Sequence, residues 1–274
     1  MSANVVRYSA KQSIGFVDAI SDLVRHRDLL LLLVQKELKL KYKGTVLGVF
    51  WSLLNPLLLM AVYAIVFSVV VRYPVRNFPI FLLSGLLPWT AFSTTLATAS
   101  TCIINNSNLV RRIRFPVEML PVTVVIANLV NMALGFLLLI GFVIGYHQAV
   151  GLSLLSLPVL VLLQLMFSLG VAMALSALTV YFRDLVHLVS IGVMVWFFAT
   201  PVLYPLSIFQ GKQVYSVLRL NPMAWLMDGY QRVWHAAAWP DGGYTLAFAA
   251  VSVLALVLGW WIFHASARRF AEEV

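Results

Sequence analysis

The sequence predicts an all-α polytopic membrane protein with six transmembrane helices, an N-terminal amphipathic interfacial helix and two re-entrant half-helices between spans five and six. Three observations carry that prediction. Hydrophobic residues make up 62% of the 274-residue chain and charged residues 11%, a balance that excludes an ordinary soluble domain. Six apolar stretches, Val46–Val71, Phe78–Ile104, Val117–Ile144, Pro158–Phe182, Leu185–Val202 and Tyr244–His264, suit the roughly 20 residues a helix needs to cross about 30 Å of hydrocarbon. Lipid offers the backbone no hydrogen-bonding partners, so such stretches fold as helices. The third observation is the placing of the nineteen Lys and Arg. With the N-terminus inside, only Arg72, Arg76, Lys212, Arg219 and Arg232 fall outside, which puts both termini in the cytoplasm. The same distribution argues against nucleic acid as the reason for a net charge of +9.

Residues 1–45 form a polar N-terminal segment without a secretory-signal pattern, and residues 46–274 form the transmembrane domain. Within the first segment Phe16, Val17, Ile20, Leu23 and Val24 recur at helical spacing, opposite Asp18, Ser21, Asp22 and Arg25. The run RHRD at Arg25–Asp28 interrupts this pattern. A second apolar and basic stretch follows and carries Lys36, Lys39, Lys41 and Lys43. A helix of this kind lies along a membrane surface with its lysines near anionic headgroups, or meets a specific charged substrate.

The link between spans two and three, Asn105 to Pro116, reads as a short basic helix. Asn106 or Ser107 can cap it, and Pro116 stops it from running into the next span. Such a link serves as a positive-inside loop or as a lever for a cytoplasmic partner. Between spans five and six, PVLYP (Pro201–Pro205) breaks one helix and NPMAW (Asn221–Trp225) opens a short apolar segment ending near Trp234. Segments too short to cross and too apolar for a free loop suit re-entrant half-helices covered by protein.

Catalytic chemistry is poorly provided for. No phosphate-binding glycine loop is present, since the only Gly-Lys pair, Gly211-Lys212, lacks the preceding glycine. His26, His147, His187, His235 and His264 are scattered, with no pair at metal-ligand spacing. Cys102 is the single cysteine and reads as a packing residue. Glu118 and Asp184 stand at inner span ends, where Asp184 can pair with its neighbour Arg183. No ionisable residue falls at mid-depth, which argues against proton-driven transport. The pairs Gly44/Gly48 and Gly141/Gly145 permit close helix contact, and Asn55-Pro56 kinks the first span. Aromatics gather near span ends, as an interfacial belt or as a pore lining.

Taken in order, RDLLLLLVQKELKLKYKGTVLGVFWSLLNP (Arg27–Pro56), NNSNLVRRIRFPVEMLP (Asn105–Pro121), YFRDL (Tyr181–Leu185), PVLYP and NPMAWLMDGYQ (Asn221–Gln231) carry a family resemblance. The chain resembles the permease subunit of ABC-2 type exporters that move lipid-linked polysaccharides out of bacteria, the O-antigen and teichoic-acid members above all. The resemblance runs over nearly the whole length. It implies an inner-membrane homodimer with no catalytic site or cofactor of its own, paired with two ATPase subunits that hold ATP and Mg. It assigns ATPase coupling to the helix at 106–115, with Asn106, Asn108, Arg111, Arg112, Arg114 and Phe115. It assigns the substrate entrance to about Asp28–Lys43, where Lys39, Lys41, Lys43 and Tyr42 would meet a lipid diphosphate. The outer gate maps to half-helices within 205–236. The aromatics Trp51, Trp89, Phe92, Trp196, Phe197, Tyr204, Trp225 and Trp234 map to pore and gate.

Two competing readings remain open from sequence. One is the same architecture with capsule, teichoic acid, lipid or small-molecule cargo. The other is a polytopic glycosyltransferase or acyltransferase, which needs converging acid, base or metal-binding residues.

Overall fold

The computed structural model describes residues 16–67, 75–112, 115–209, 211, 213–267 and 270–273, and no strand occurs among them. Arg114 and the side chains of Tyr42 and Arg112 lie outside the described residues, as do Arg72, Lys212, Arg268 and Arg269. In chain order the helices are α1 (Phe16–Arg25), α2 (Arg27–Tyr42), α3 (Trp51–Ile65), α4 (Phe78–Asn105), α5 (Ser107–Arg112) and α6 (Met119–Gly145). They are followed by α7 (Leu157–Tyr181), α8 (Leu185–Phe198), α9 (Gln213–Leu218), α10 (Pro222–Trp234), α11 (Gly242–Ala267) and α12 (Phe270–Glu273).

Four of these, α4, α6, α7 with its leading 3₁₀ turn, and α11, are long and apolar enough to cross a membrane. The first and fifth expected spans form the shorter apolar helices α3 and α8. A 3₁₀ turn at Gly48–Phe50 leads into α3, whose interior Pro56 removes one ladder hydrogen bond and is buried.

The centre of the bundle is α4, which packs on α3, α6, α7, α8 and α10. Two apolar clusters fill the interior. One surrounds Phe92, Leu82, Phe167 and Tyr230, and the other, toward the α4–α5 corner, surrounds Ile103, Val124, Met173 and Phe263.

The tightest helix pair is α7 with α11, and glycine makes it possible. A Cβ on Gly259 would lie 1.9 Å from the carbonyl oxygen of Gly170, and one on Gly170 would lie 2.3 Å from the carbonyl carbon of Ala255. Backbone therefore touches backbone, the contact that small residues permit in lipid. The Tyr181 hydroxyl donates to the Ser266 carbonyl at 2.8 Å and fastens one end of the pair. The glycine pairs expected to mediate close contact do not do so within this chain. Gly141 and Gly145 have nothing within 4 Å of a notional Cβ, and Gly44 (φ +76°) and Gly48 (φ +51°) serve a left-handed turn.

The segment expected as two half-helices forms a 3₁₀ turn at Leu206–Phe209, then α9 and α10. Most of α10 is interior, with Met223, Met227, Tyr230 and Val233 fully buried. Asn221 fixes its start. Its Oδ1 accepts from the Met223 amide at 3.0 Å and Trp196 Nε1 at 2.9 Å, while Nδ2 donates to the Ala199 carbonyl at 3.0 Å and Thr200 Oγ1 at 2.9 Å. Further along, Gln231 Nε2 donates to the Pro201 carbonyl at 2.8 Å, in space that Gly85 leaves open. The Tyr230 hydroxyl donates to Gln164 Oε1 at 2.8 Å, and Gln164 Nε2 donates to the Pro88 carbonyl at 2.9 Å. These bonds tie α10 to α4, α7 and the end of α8.

A second set of bonds gathers the loops at that same end of the bundle. Asn77 Nδ2 donates to Gln148 Oε1 at 2.6 Å, and Gln148 Nε2 donates to the His235 carbonyl at 2.8 Å. His235 Nε2 in turn lies 2.6 Å from the Arg76 carbonyl, so that nitrogen carries the proton.

Candidate coupling helix and basic groove

At the other end of the bundle α2 lies against α6, held by Leu33 and Val34, which are buried. Lys36 and Lys39 share a face of α2, and Lys43 follows as its extended C-cap residue. The three lysines and Val130, Asn131 and Leu134 of α6 line an open groove of about 790 Å³. Its walls are apolar and its cations come from three lysines, the chemistry of a site for a lipid that carries an anionic head.

Of the four residues assigned to the entrance, Lys39 and Lys43 line this groove. Lys41 is not among the lining residues, and burial lowers its ammonium pKa from the usual lysine value. Nothing in the sequence separated Lys41 from its neighbours except helical phase. Lys36 was legible as part of the basic run, but its place in the site was not.

The link after α4 forms α5 over Ser107–Arg112, within the expected 106–115, of which 113 and 114 lie outside the described residues. Val110 enters the second apolar cluster and is 1% exposed, which anchors α5 to the bundle. Phe115 packs at the margin of that cluster, and α12 lies against α5, with Phe270 fully buried. Asn108 and Arg111 point outward and are exposed. Of the six residues assigned to coupling, Asn108 and Arg111 are exposed, Asn106 and Phe115 pack against the bundle, and Arg114 and the side chain of Arg112 lie outside the described residues.

Asn106 differs from the sequence expectation in its detail. Its backbone carbonyl accepts from the amides of Leu109 at 2.9 Å and Val110 at 3.1 Å, which opens α5. Its side chain does not cap that helix. Instead Nδ2 turns back to the Cys102 carbonyl at 2.8 Å, and Oδ1 accepts from Lys36 Nζ at 2.7 Å. Lys36 thus joins the groove to the start of α5.

The expected Arg183–Asp184 pair is not made, and both residues are exposed. Of the two acids expected at inner span ends, Glu118 is the one paired: its Oε1 lies 2.9 Å from Nε2 of His264, joining the start of α6 to the last turn of α11. No cluster of His, Cys, Asp or Glu suited to a metal occurs among the described residues.

The aromatics divide in the same way. Trp89, Phe92 and Trp234 are buried within this chain. Trp89 and Phe92 interlock with Trp196 and Phe197, with centroids 5.9 Å apart for Trp89–Phe92, 5.3 Å for Phe92–Trp196 and 5.6 Å for Trp89–Phe197. Trp51, Trp196, Phe197, Tyr204 and Trp225 are half-buried. Tyr204 donates to the Phe198 carbonyl at 2.8 Å, and Trp225 stacks on Tyr244 at 6.3 Å.

Comparison with known proteins covers both features. Residues 28–233, from α2 through α10, match the family described as ABC-2 type transporter. The chain is 43% identical over 256 residues to the O-antigen export system permease protein RfbA of Myxococcus xanthus, covering 93% of this chain and 98% of that protein. Two proteins of the same description from Klebsiella pneumoniae are each 29% identical, over 246 and 252 residues, covering 89% of this chain and 94% of theirs.

Proposed function

The chain belongs to the ABC-2 type transporter family, and on that premise we propose that it is the permease of an ATP-driven exporter of a lipid-linked polysaccharide of the O-antigen kind. The observation that carries this reading is the meeting of two features at one end of the bundle: a lysine-lined, apolar-walled groove and a short helix anchored by Val110 with Asn108 and Arg111 outward. A soluble domain that pushes on α5 pushes on an element tied to the groove.

In this reading the basic end faces the cytoplasm of a bacterial cell, and α3 and α8 complete six spans around the four long helices. Two copies of the chain associate, and two ATPase subunits dock on their α5 helices and supply ATP and Mg. The exposed apolar side chains Leu58, Val62 and Ile65 of α3 and Ile191, Met194 and Phe198 of α8 are the surface for the second copy. The half-buried Trp196 and Phe197 of α8, with Tyr204 just after it, form the pore lining, and Trp51 and Trp225 stand at its ends. Trp89 and Phe92 keep the wall rigid behind Trp196 and Phe197, while Trp234 packs on Phe136.

The lipid diphosphate enters the groove, where Lys39 and Lys43 supply charge-assisted hydrogen bonds worth about 1.5–3 kcal/mol each, and the lipid tail lies along the apolar walls. ATP-driven closure of the partner moves α5, the bundle opens between the two copies, and the glycan passes outward. The turn at 206–209 and α9 form the mobile outer gate, and α10 is its fixed frame.

Replacing Arg111, Arg112 and Arg114 by Glu in cells that make the glycan tests the coupling assignment. The expected result is loss of glycan from the cell surface with the permease still in the membrane. Normal display with normal complex assembly would overturn it.

A further inference from the structure

Lys36 takes part in two structures at once. It lines the groove beside Lys39 and Lys43, and its Nζ donates to Asn106 Oδ1 at 2.7 Å. Asn106 is 7% exposed and is shared by three elements: Nδ2 donates to the Cys102 carbonyl in the last turn of α4, the backbone carbonyl opens α5, and Oδ1 accepts a hydrogen bond from α2's lysine. Resting on the groove reading above, we infer that Lys36 is a third phosphate-binding residue and reports groove occupancy to the coupling helix, because a phosphate in the groove and Asn106 compete for one ammonium.

The competition follows from bond strength. A bond from an ammonium to a phosphate oxygen, with charge on both sides, is stronger than one to a neutral amide oxygen. Lys39, which holds the phosphate together with Lys43, lies about one helical turn from Lys36 on the same face. When Lys36 turns to it, Asn106 Oδ1 loses its partner in a confined place, and the α4–α5 corner is less favourable as it stands. The ligand therefore has different affinities for the two arrangements of the corner, the condition for it to shift their balance. An empty groove keeps α5 clasped to α2, and a filled one releases it.

The ligand chemistry is a lipid phosphate, carried either by the diphosphate of a glycan carrier or by an anionic phospholipid headgroup. The test uses the full permease–ATPase complex in phosphatidylcholine nanodiscs. ATP hydrolysis is measured against farnesyl diphosphate and, separately, against added phosphatidylglycerol. The wild-type complex is expected to be stimulated by the diphosphate, and Lys36→Gln to lose the stimulation while the ATPase still co-purifies. Asn106→Asp, which turns the amide contact into an ion pair, is expected to raise the half-maximal diphosphate concentration about tenfold.

Stimulation of Lys36→Gln with the wild-type amplitude and midpoint overturns the relay and leaves the groove reading intact. If that variant does not assemble, an unshifted midpoint in Asn106→Asp overturns it instead. A wild-type response to phosphatidylglycerol equal to that for the diphosphate, with Asn106→Asp shifted for both, upholds the relay and removes the glycan carrier as its source. A wild-type complex that responds to neither overturns both the relay and the reading it rests on.

Discussion

Lys36 Nζ lies 2.7 Å from Asn106 Oδ1, so two residues 70 positions apart share one hydrogen bond at the corner where α2, α4 and α5 meet. The acceptor is nearly buried. Lys36→Ala leaves it without that donor, and the expected loss is about 1–3 kcal/mol in the unfolding of the purified permease. Asn106→Ala removes both of its side-chain bonds. The double variant is expected to lose less than the sum of the two single losses, because the two changes remove one shared contact. Denaturant titration of the four proteins in one detergent measures this.

The α7–α11 contact depends on two absent side chains. Gly259→Ala places a methyl group 1.9 Å from the Gly170 carbonyl oxygen, so the helices must separate along their whole crossing. A loss of about 3 kcal/mol, at or beyond the upper end of ordinary overpacking, is expected, with a fall in monodisperse protein on size exclusion. Gly141→Ala, with nothing within 4 Å, is expected to behave as wild type in the same assay.

The buried chain Tyr230–Gln164–Pro88 makes a third prediction. Tyr230→Phe deprives Gln164 Oε1 of its donor and is expected to cost about 1–3 kcal/mol. Adding Gln164→Leu removes the stranded oxygen as well, and the double variant is expected to recover part of the loss. Thermal unfolding of the single and double variants reads this directly.

Asn221 connects α10 to the end of α8 through four bonds. Asn221→Asp keeps the two acceptor bonds to Met223 and Trp196 but loses the donors to Ala199 and Thr200. Asn221→Ala loses all four, including the helix cap, itself worth about 0.5–2 kcal/mol. The order of stability expected is Asn, then Asp, then Ala. Hydrogen exchange is expected to rise through 199–223 in Asn221→Ala, with the α7–α11 contact unchanged.

Much of the architecture was legible because long apolar runs can only be helices in lipid. Phe78–Ile104 became Phe78–Asn105 and Val117–Ile144 became Met119–Gly145, since caps and turn residues mark both ends. The fifth run overestimated its helix, because hydropathy continues through Val202 while the helix has already ended at Phe198, whereas the last residues of the first run lie outside the described residues. Pairings between distant residues left no local trace. Gly170 and Gly259 are 89 positions apart on different helices, whereas the pair Gly141/Gly145, visible within one helix, meets nothing in this chain. Gln164 is an amide within an apolar span, and its partners Tyr230 and Pro88 lie on other helices, so no local pattern announces the bond chain. The basic run announced a site, but only the phase of α2 against α6 separates the lysines that enter the groove from Lys41.

Transport of a lipid-linked glycan across a bilayer is the activity we propose for this chain together with an ATPase. Its most direct test is reconstitution of the complex in liposomes bearing a radiolabelled lipid-linked glycan on the outer, ATPase-facing leaflet, with a glycan-degrading enzyme outside. ATP is expected to make a growing fraction of the label resistant to that enzyme, and Lys39→Gln with Lys43→Gln to slow the conversion. Label that stays fully accessible with ATP, from an assembled and ATP-hydrolysing complex, would contradict the account.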